Sequence, residues 1–98
     1  MTEAPLISKE VLARYAGDAA LEVEGVSGLT RDAAGVTEGT DGKFDIDVHV
    51  ELAWGAGAEA VARDVQERVA EYVARMANVE VGSVGVVVER VGPPPAKR

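Results

Sequence analysis

Asp45, Asp47, His49 and Glu51 stand at alternate positions of one run from Phe44 to Ala53. Carboxylates and an imidazole can bind a cation or move a proton, so this row is where chemistry would be sought first. Its spacing limits what it can do. Alternate residues of a strand stand about 6.6–6.8 Å apart on one face, whereas a small first-row metal draws its ligands to about 2.0–2.2 Å. A row does not converge, so it reads as a solvated strand face, with weak cation binding as the alternative. His49 is the only histidine and the chain has no cysteine. That excludes a two-histidine centre, a thiolate nucleophile and a thiolate zinc site. No serine or threonine shows a base partner at a recognisable spacing.

The glycines at 35, 39, 42, 55 and 57 form neither GxGxxG nor GxxxxGK[ST], so they read as turns and not as a phosphate cradle. Trp54 reads as a partly buried anchor at the strand end, with an interface hot spot as the alternative. No catalytic, cofactor-binding or metal-binding residue is assigned, and no cofactor is expected. Asp45, Asp47, His49, Glu51 and Trp54 remain as a candidate interaction surface.

The elements that must position this surface follow from periodicity. Ser8 is a helix N-cap and Glu10 complements the positive end of the helix. Leu12, Tyr15, Ala16, Ala19 and Val23 then mark a buried stripe at helical spacing, and Gly25 ends it. Val26 to Gly35 reads as a loop and Gly35 to Thr40 as an extended segment. Asp41-Gly42 signals a tight hairpin with positive φ at both central residues. In the run that follows, Phe44, Ile46, Val48, Val50 and Leu52 form an apolar face.

From Ala58 the period is helical again, with Val61, Ala62, Val65, Val69, Tyr72, Val73 and Met76 on one stripe. Glu59/Arg63, Asp64/Arg68 and Glu71/Arg75 sit four apart on the wet side. Asn78 ends this helix, and Val79 to Val91 is a strand with a bulge or kink at Gly82-Ser83. The order helix-strand-strand-helix-strand predicts an α+β domain over residues 7–91, a three-stranded sheet with both helices on one face. Residues 1–6 are expected to be flexible, and the proline-rich 92–98 to be a stiff exposed tail.

The chain has 98 residues, one domain's worth of core. Seventeen acidic against ten basic residues give a formal charge of −7, which repels phosphate backbones and anionic lipid alike. Nucleic acid is therefore not an expected partner. No stretch approaches the roughly 18 apolar residues of a spanning helix, and the N-terminus lacks the pattern of a secretory signal. A cytoplasmic protein without direct membrane insertion is expected.

Several segments resemble the alkaline-shock and general-stress family of Gram-positive bacteria, the envelope stress response proteins. They are Ile7-Ser8-Lys9-Glu10-Val11, Ala19-Ala20 through Glu22-Val23-Glu24-Gly25-Val26, the alternating strand ending in Trp54-Gly55, Val61-Ala62 with Val65-Gln66, and Val84-Gly85-Val86-Val87-Val88. The resemblance implies a small non-enzymatic protein of cell-envelope homeostasis. It also implies a scaffold that associates with itself as a homo-oligomer and is held at the inner face of the membrane by a membrane-anchored partner. His49 and Glu51 depart from the family pattern, which tends to aromatic or aliphatic residues there. The alternative from a different class is a small-molecule or cation sensor on the same strand face.

Overall fold

A computed structural model describes residues 7–93, and at Arg31 and Asp32 the backbone only. The expected flexible segment 1–6 and residues 94–98 of the expected tail lie outside the described residues. The order is α1 (Lys9–Leu21), β1 (Val26–Glu38), β2 (Phe44–Leu52), α2 (Ala58–Ala77) and β3 (Val81–Val91). The strands form one sheet in the order β1-β2-β3. β2 is central, antiparallel to β1 and parallel to β3. This is the expected α+β arrangement.

β2 sets the layers because its two faces differ. Ile46, Val48, Val50 and Leu52 are at most 1% exposed, while the residues between them turn to the other side. α1 lies over β1 and α2 over β3, so the inner stripe of β2 closes the seam between the helices. Leu12, Ala16, Ala19 and Ala20 come down from α1, and Val61, Val65, Val69 and Val73 from α2. The alanines let the helices approach closely. Near the seam, Tyr15 and Tyr72 meet edge to face with ring centroids 6.0 Å apart, a geometry worth about 0.5–1.5 kcal/mol beyond burial.

The caps behave as their residue types dictate. The Ser8 hydroxyl accepts from the Val11 N–H at 3.1 Å, and Asn78 closes α2 in the left-handed region at φ 54°. α1 stops earlier than its apolar stripe suggests, with Glu22 as C-cap, yet Val23 beyond it is still buried. Gly25 has φ +99°, and a Cβ there would stand 2.7 Å from the Val61 side chain. Glycine is needed at this point for both conformation and space.

Several local expectations are corrected. The stretch Val26 to Gly35 is not a loop, because β1 runs the full length from Val26 to Glu38. Its pairing breaks between Leu29 and Ala34, so Thr30 to Ala33 lie opposite the single residue His49. That irregularity is what hides the strand from a period-2 reading. The hairpin is not a two-residue turn. The Gly39 N–H donates to the Lys43 carbonyl and the Gly42 N–H to the Gly39 carbonyl, and only Gly42 of the Asp41-Gly42 pair has positive φ. Asp41 instead accepts the Lys43 N–H at 3.0 Å.

On α2, Glu59–Arg63 and Glu71–Arg75 pair as spaced. Arg68, however, reaches Glu22 at 3.6 Å, the end of α1 competing successfully with Asp64. Met76 is exposed, and Ala77 takes the last buried position. β3 begins at Val81, and Gly82 is the extra residue of a bulge where Phe44 and Asp45 face Val81 and Ser83.

Val69 has no solvent exposure, so Val69→Asp would bury a charge without a partner at a cost of several kcal/mol. Urea unfolding monitored by circular dichroism should find this variant unfolded or destabilised by that amount. Equal stability would contradict the packing of α2 on the sheet.

Candidate functional site

The helices cover one side of the sheet, and the other side carries Asp45, Asp47, His49 and Glu51. The ladder decides their neighbours. Across β2, Asp45 lies between Thr37 and Ser83, Asp47 between Gly35 and Gly85, and Glu51 between Gly28 and Arg90. His49 faces Val87 on one side and the β1 irregularity on the other. A second bulge falls between Val50/Val88 and Glu51/Arg90, leaving Glu89 as the extra residue. Because of it, both Glu89 and Arg90 contact residues of the outer face.

Each charged group of the row has its own local arrangement. The Ser83 hydroxyl donates to Asp45 Oδ1 at 2.9 Å. His49 Nδ1 stands 2.6 Å from Glu89 Oε1, within hydrogen-bond distance. Arg90 approaches Glu51 at 3.9 Å. Asp47 is flanked by glycines on both sides, and a Cβ on Gly85 would come within 2.6 Å of its Oδ1. The pairs are open to water, His49 and Glu89 being 33% and 45% exposed. Pairs this exposed stabilise by about 0–1 kcal/mol.

The imidazole and the serine hydroxyl are held by different carboxylates, so the row assembles no nucleophile with its base. Nor does it converge on a metal: among the described residues no group of three or more His, Cys, Asp or Glu side chains is gathered for one. Trp54 is not part of the row. It follows β2 in the turn before α2 and is 58% exposed, more than a partly buried anchor would be. Glu89, Ser83, Gly85 and Arg90 join the surface from β3, and the sequence did not place them on this surface. Only the parallel register of β3 brings Glu89 to His49, 40 residues earlier, and the one hint was the possible bulge at Gly82.

A small α+β module with one face of its sheet uncovered is the class that these observations define. The sequence profile of the alkaline shock protein 23 family, described as having a cell envelope-related function, matches residues 33–93. The chain therefore belongs to that family. The fold is also similar to solved MamM CTD structures. The copper form matches with TM-score 0.59 and 18% identity, over 91% of this chain and 92% of that one. A nickel form of a variant gives TM-score 0.57 and 18% identity over 83% and 96%, and a further MamM CTD structure 0.57 and 20% over 83% and 96%. At these identities the likeness is one of fold. No curated protein matches the sequence.

Replacing Asp47 and His49 together by Ala should leave the fold intact and shift stability by no more than about 0.5 kcal/mol, as exposed groups usually do. Thermal unfolding of the double variant checks this. A larger loss would mean that the outer face carries structure that its exposure does not suggest.

Proposed function

We propose that this protein is a non-enzymatic interaction module of cell-envelope homeostasis and the envelope stress response. In this reading it associates with itself and is held at the cytoplasmic face of the membrane by a membrane-anchored protein. The observation that carries the reading is the uncovered sheet face. Both helical stripes are consumed by the core, whereas Asp45, Asp47, His49 and Glu51 face outward beside Glu89 and Arg90. Exposed Trp54 at the strand end adds an aromatic of the kind enriched at interface hot spots. Membership of a family with a cell envelope-related function supports the setting.

A partner is needed for recruitment on physical grounds. Among the described residues no helix is long and apolar enough to cross a membrane. The exposed side of α2 interleaves acids with arginines, unlike the basic face of a membrane-surface helix. A net charge of −7 is repelled by anionic headgroups. Self-association then has a use, since linking several weak contacts to an array of anchors raises avidity by about 10²–10⁴.

One observation favours a second reading, a cation sensor: His49 and Glu89 are 2.6 Å apart with Asp47 two residues along the same face. Calorimetric titration with divalent cations separates the two. Saturable binding lost in the Asp47/His49 double alanine variant would favour the sensor, and its absence the scaffold.

Purified protein mixed with anionic liposomes at physiological salt, with no other protein present, should stay in the supernatant after sedimentation. Robust co-sedimentation would overturn recruitment through a partner. Sedimentation velocity over a concentration series should show larger species forming as concentration rises, and a monomer throughout would remove self-association from the reading.

A further inference from the structure

β3 is an edge of the sheet, and its ladder to β2 fixes which of its backbone groups are used. The Phe44 N–H donates to the Glu80 carbonyl, and the Gly92 N–H to the Leu52 carbonyl. With Ile46, Val48 and Val50 in register with Val84, Val86 and Val88, the slanted parallel pattern then engages the backbones of Ser83, Gly85 and Val87. Val84, Val86 and Val88 must turn their N–H and C=O groups away from the sheet. One outward group has a partner: Gln66 Nε2 of α2 donates to the Val84 carbonyl at 3.0 Å. Gln66, Glu67 and Ala70 of α2 and Val81 to Val84 of β3 line an open groove along this edge. No charged residue lies between Val81 and Val88.

We propose that the groove between α2 and the edge of β3 binds an extended peptide segment of a partner protein, added to the sheet as a fourth strand. The outward groups of Val84, Val86 and Val88 would supply the main-chain hydrogen bonds of such a complex. The Gln66 carboxamide already sits where an N–H of the incoming strand would bond.

Sterics select a bare strand over a second copy of this fold. Paired strands lie about 4.7–4.9 Å apart, while packed helices need about 8–10 Å between axes. Because α2 lies over β3 itself, a second copy joining edge to edge would press its own α2 into this one. A segment without a covering helix meets no such obstacle.

The edge also states what the segment should look like. Its side chains on the helix side meet Val84, Val86 and Ala70, which favours small or β-branched apolar residues at alternate positions. On the other side it borders Val87, 42% exposed. Glu67 at the rim favours a basic flanking residue. This surface is distinct from the outer sheet face and does not rest on the function proposed for it.

The test pans a phage library of random peptides of about seven residues, an ordinary strand length, against the purified full chain. Two variants discriminate. Val86→Pro removes an outward N–H at an edge position where proline is tolerated, and Ala70→Arg fills the groove from the helix side without touching the strand. The expected result is enrichment of peptides with alternating β-branched residues. These should shift the backbone amide resonances of Val84, Val86 and Val88, and bind Ala70→Arg about tenfold more weakly, as loss of an apolar contact and a backbone bond implies. Val86→Pro should show the same loss if its amide spectrum is that of a folded protein. No enrichment, undiminished binding to Ala70→Arg, or resonance shifts confined to Asp47 and His49 would each overturn the proposal. In those cases Gln66 and the Gly82 bulge serve only to guard the edge.

Discussion

The inner stripe of β2 is the constraint on which the rest of the molecule depends. Ile46, Val48, Val50 and Leu52 are closed off from water on the central strand of a three-stranded sheet, and among the described residues no second sheet covers them. Two helices must do it. Helices pack about 8–10 Å apart, close to two strand spacings, so α1 settles over β1 and α2 over β3 with the β2 stripe below their seam. Valines and alanines suit that seam because they fill it without holding the helices apart. Gly25, where a Cβ would strike Val61, marks how closely the end of α1 and the start of α2 converge there.

Covering one face in this way commits the other to solvent. The strand period is two, so burying Ile46 and Val48 necessarily turns Asp45, Asp47, His49 and Glu51 outward. The polar row is thus a consequence of the core before it is anything functional, and its spacing is that of a strand and not of a metal site. What sets it apart from a plain solvated face is what the neighbouring strands bring to it. On β1 the irregularity opposite His49 removes regular pairing. On β3 the bulge at Glu89 places a carboxylate against the ring and an arginine against Glu51.

Much of this architecture is readable from residue order because each element carries its own signal. Ser8 and Asn78 end their helices by side-chain and backbone chemistry that acts within a few residues. The alternation from Phe44 to Leu52 specifies both the strand and its faces. Less readable are features set by partners distant in sequence. Nothing local tells Arg68 to prefer Glu22 over Asp64, because the choice depends on where α1 ends. Nothing local announces Glu89 as the neighbour of His49, since that needs the parallel register and a bulge. β1 escapes for the opposite reason. Gly28, Gly35 and the irregular pairing between Leu29 and Ala34 erase the alternation, while the strand persists because β2 and α1 hold it in place.

Charge distribution narrows where an apolar contact can form. Glu22, Glu24, Asp64, Glu67 and Glu71 surround Arg68 in a shallow groove on the helical side, and the outer sheet face carries Asp45, Asp47, Glu51 and Glu89. A protein of net charge −7 therefore presents acidic groups on both of its broad surfaces. Covering either one would require desolvating carboxylates, which is unfavourable without matching cations. The narrow flank at Val81 to Val88 is different: the strand itself carries no charge, Glu67 stands only at the rim of the groove beside it, and its outward backbone groups need partners if water is displaced. Contacts on the broad faces should accordingly be polar, salt-dependent and selective by charge. Contact at the flank would be held by main-chain hydrogen bonds and apolar side chains, and so would be less sensitive to ionic strength.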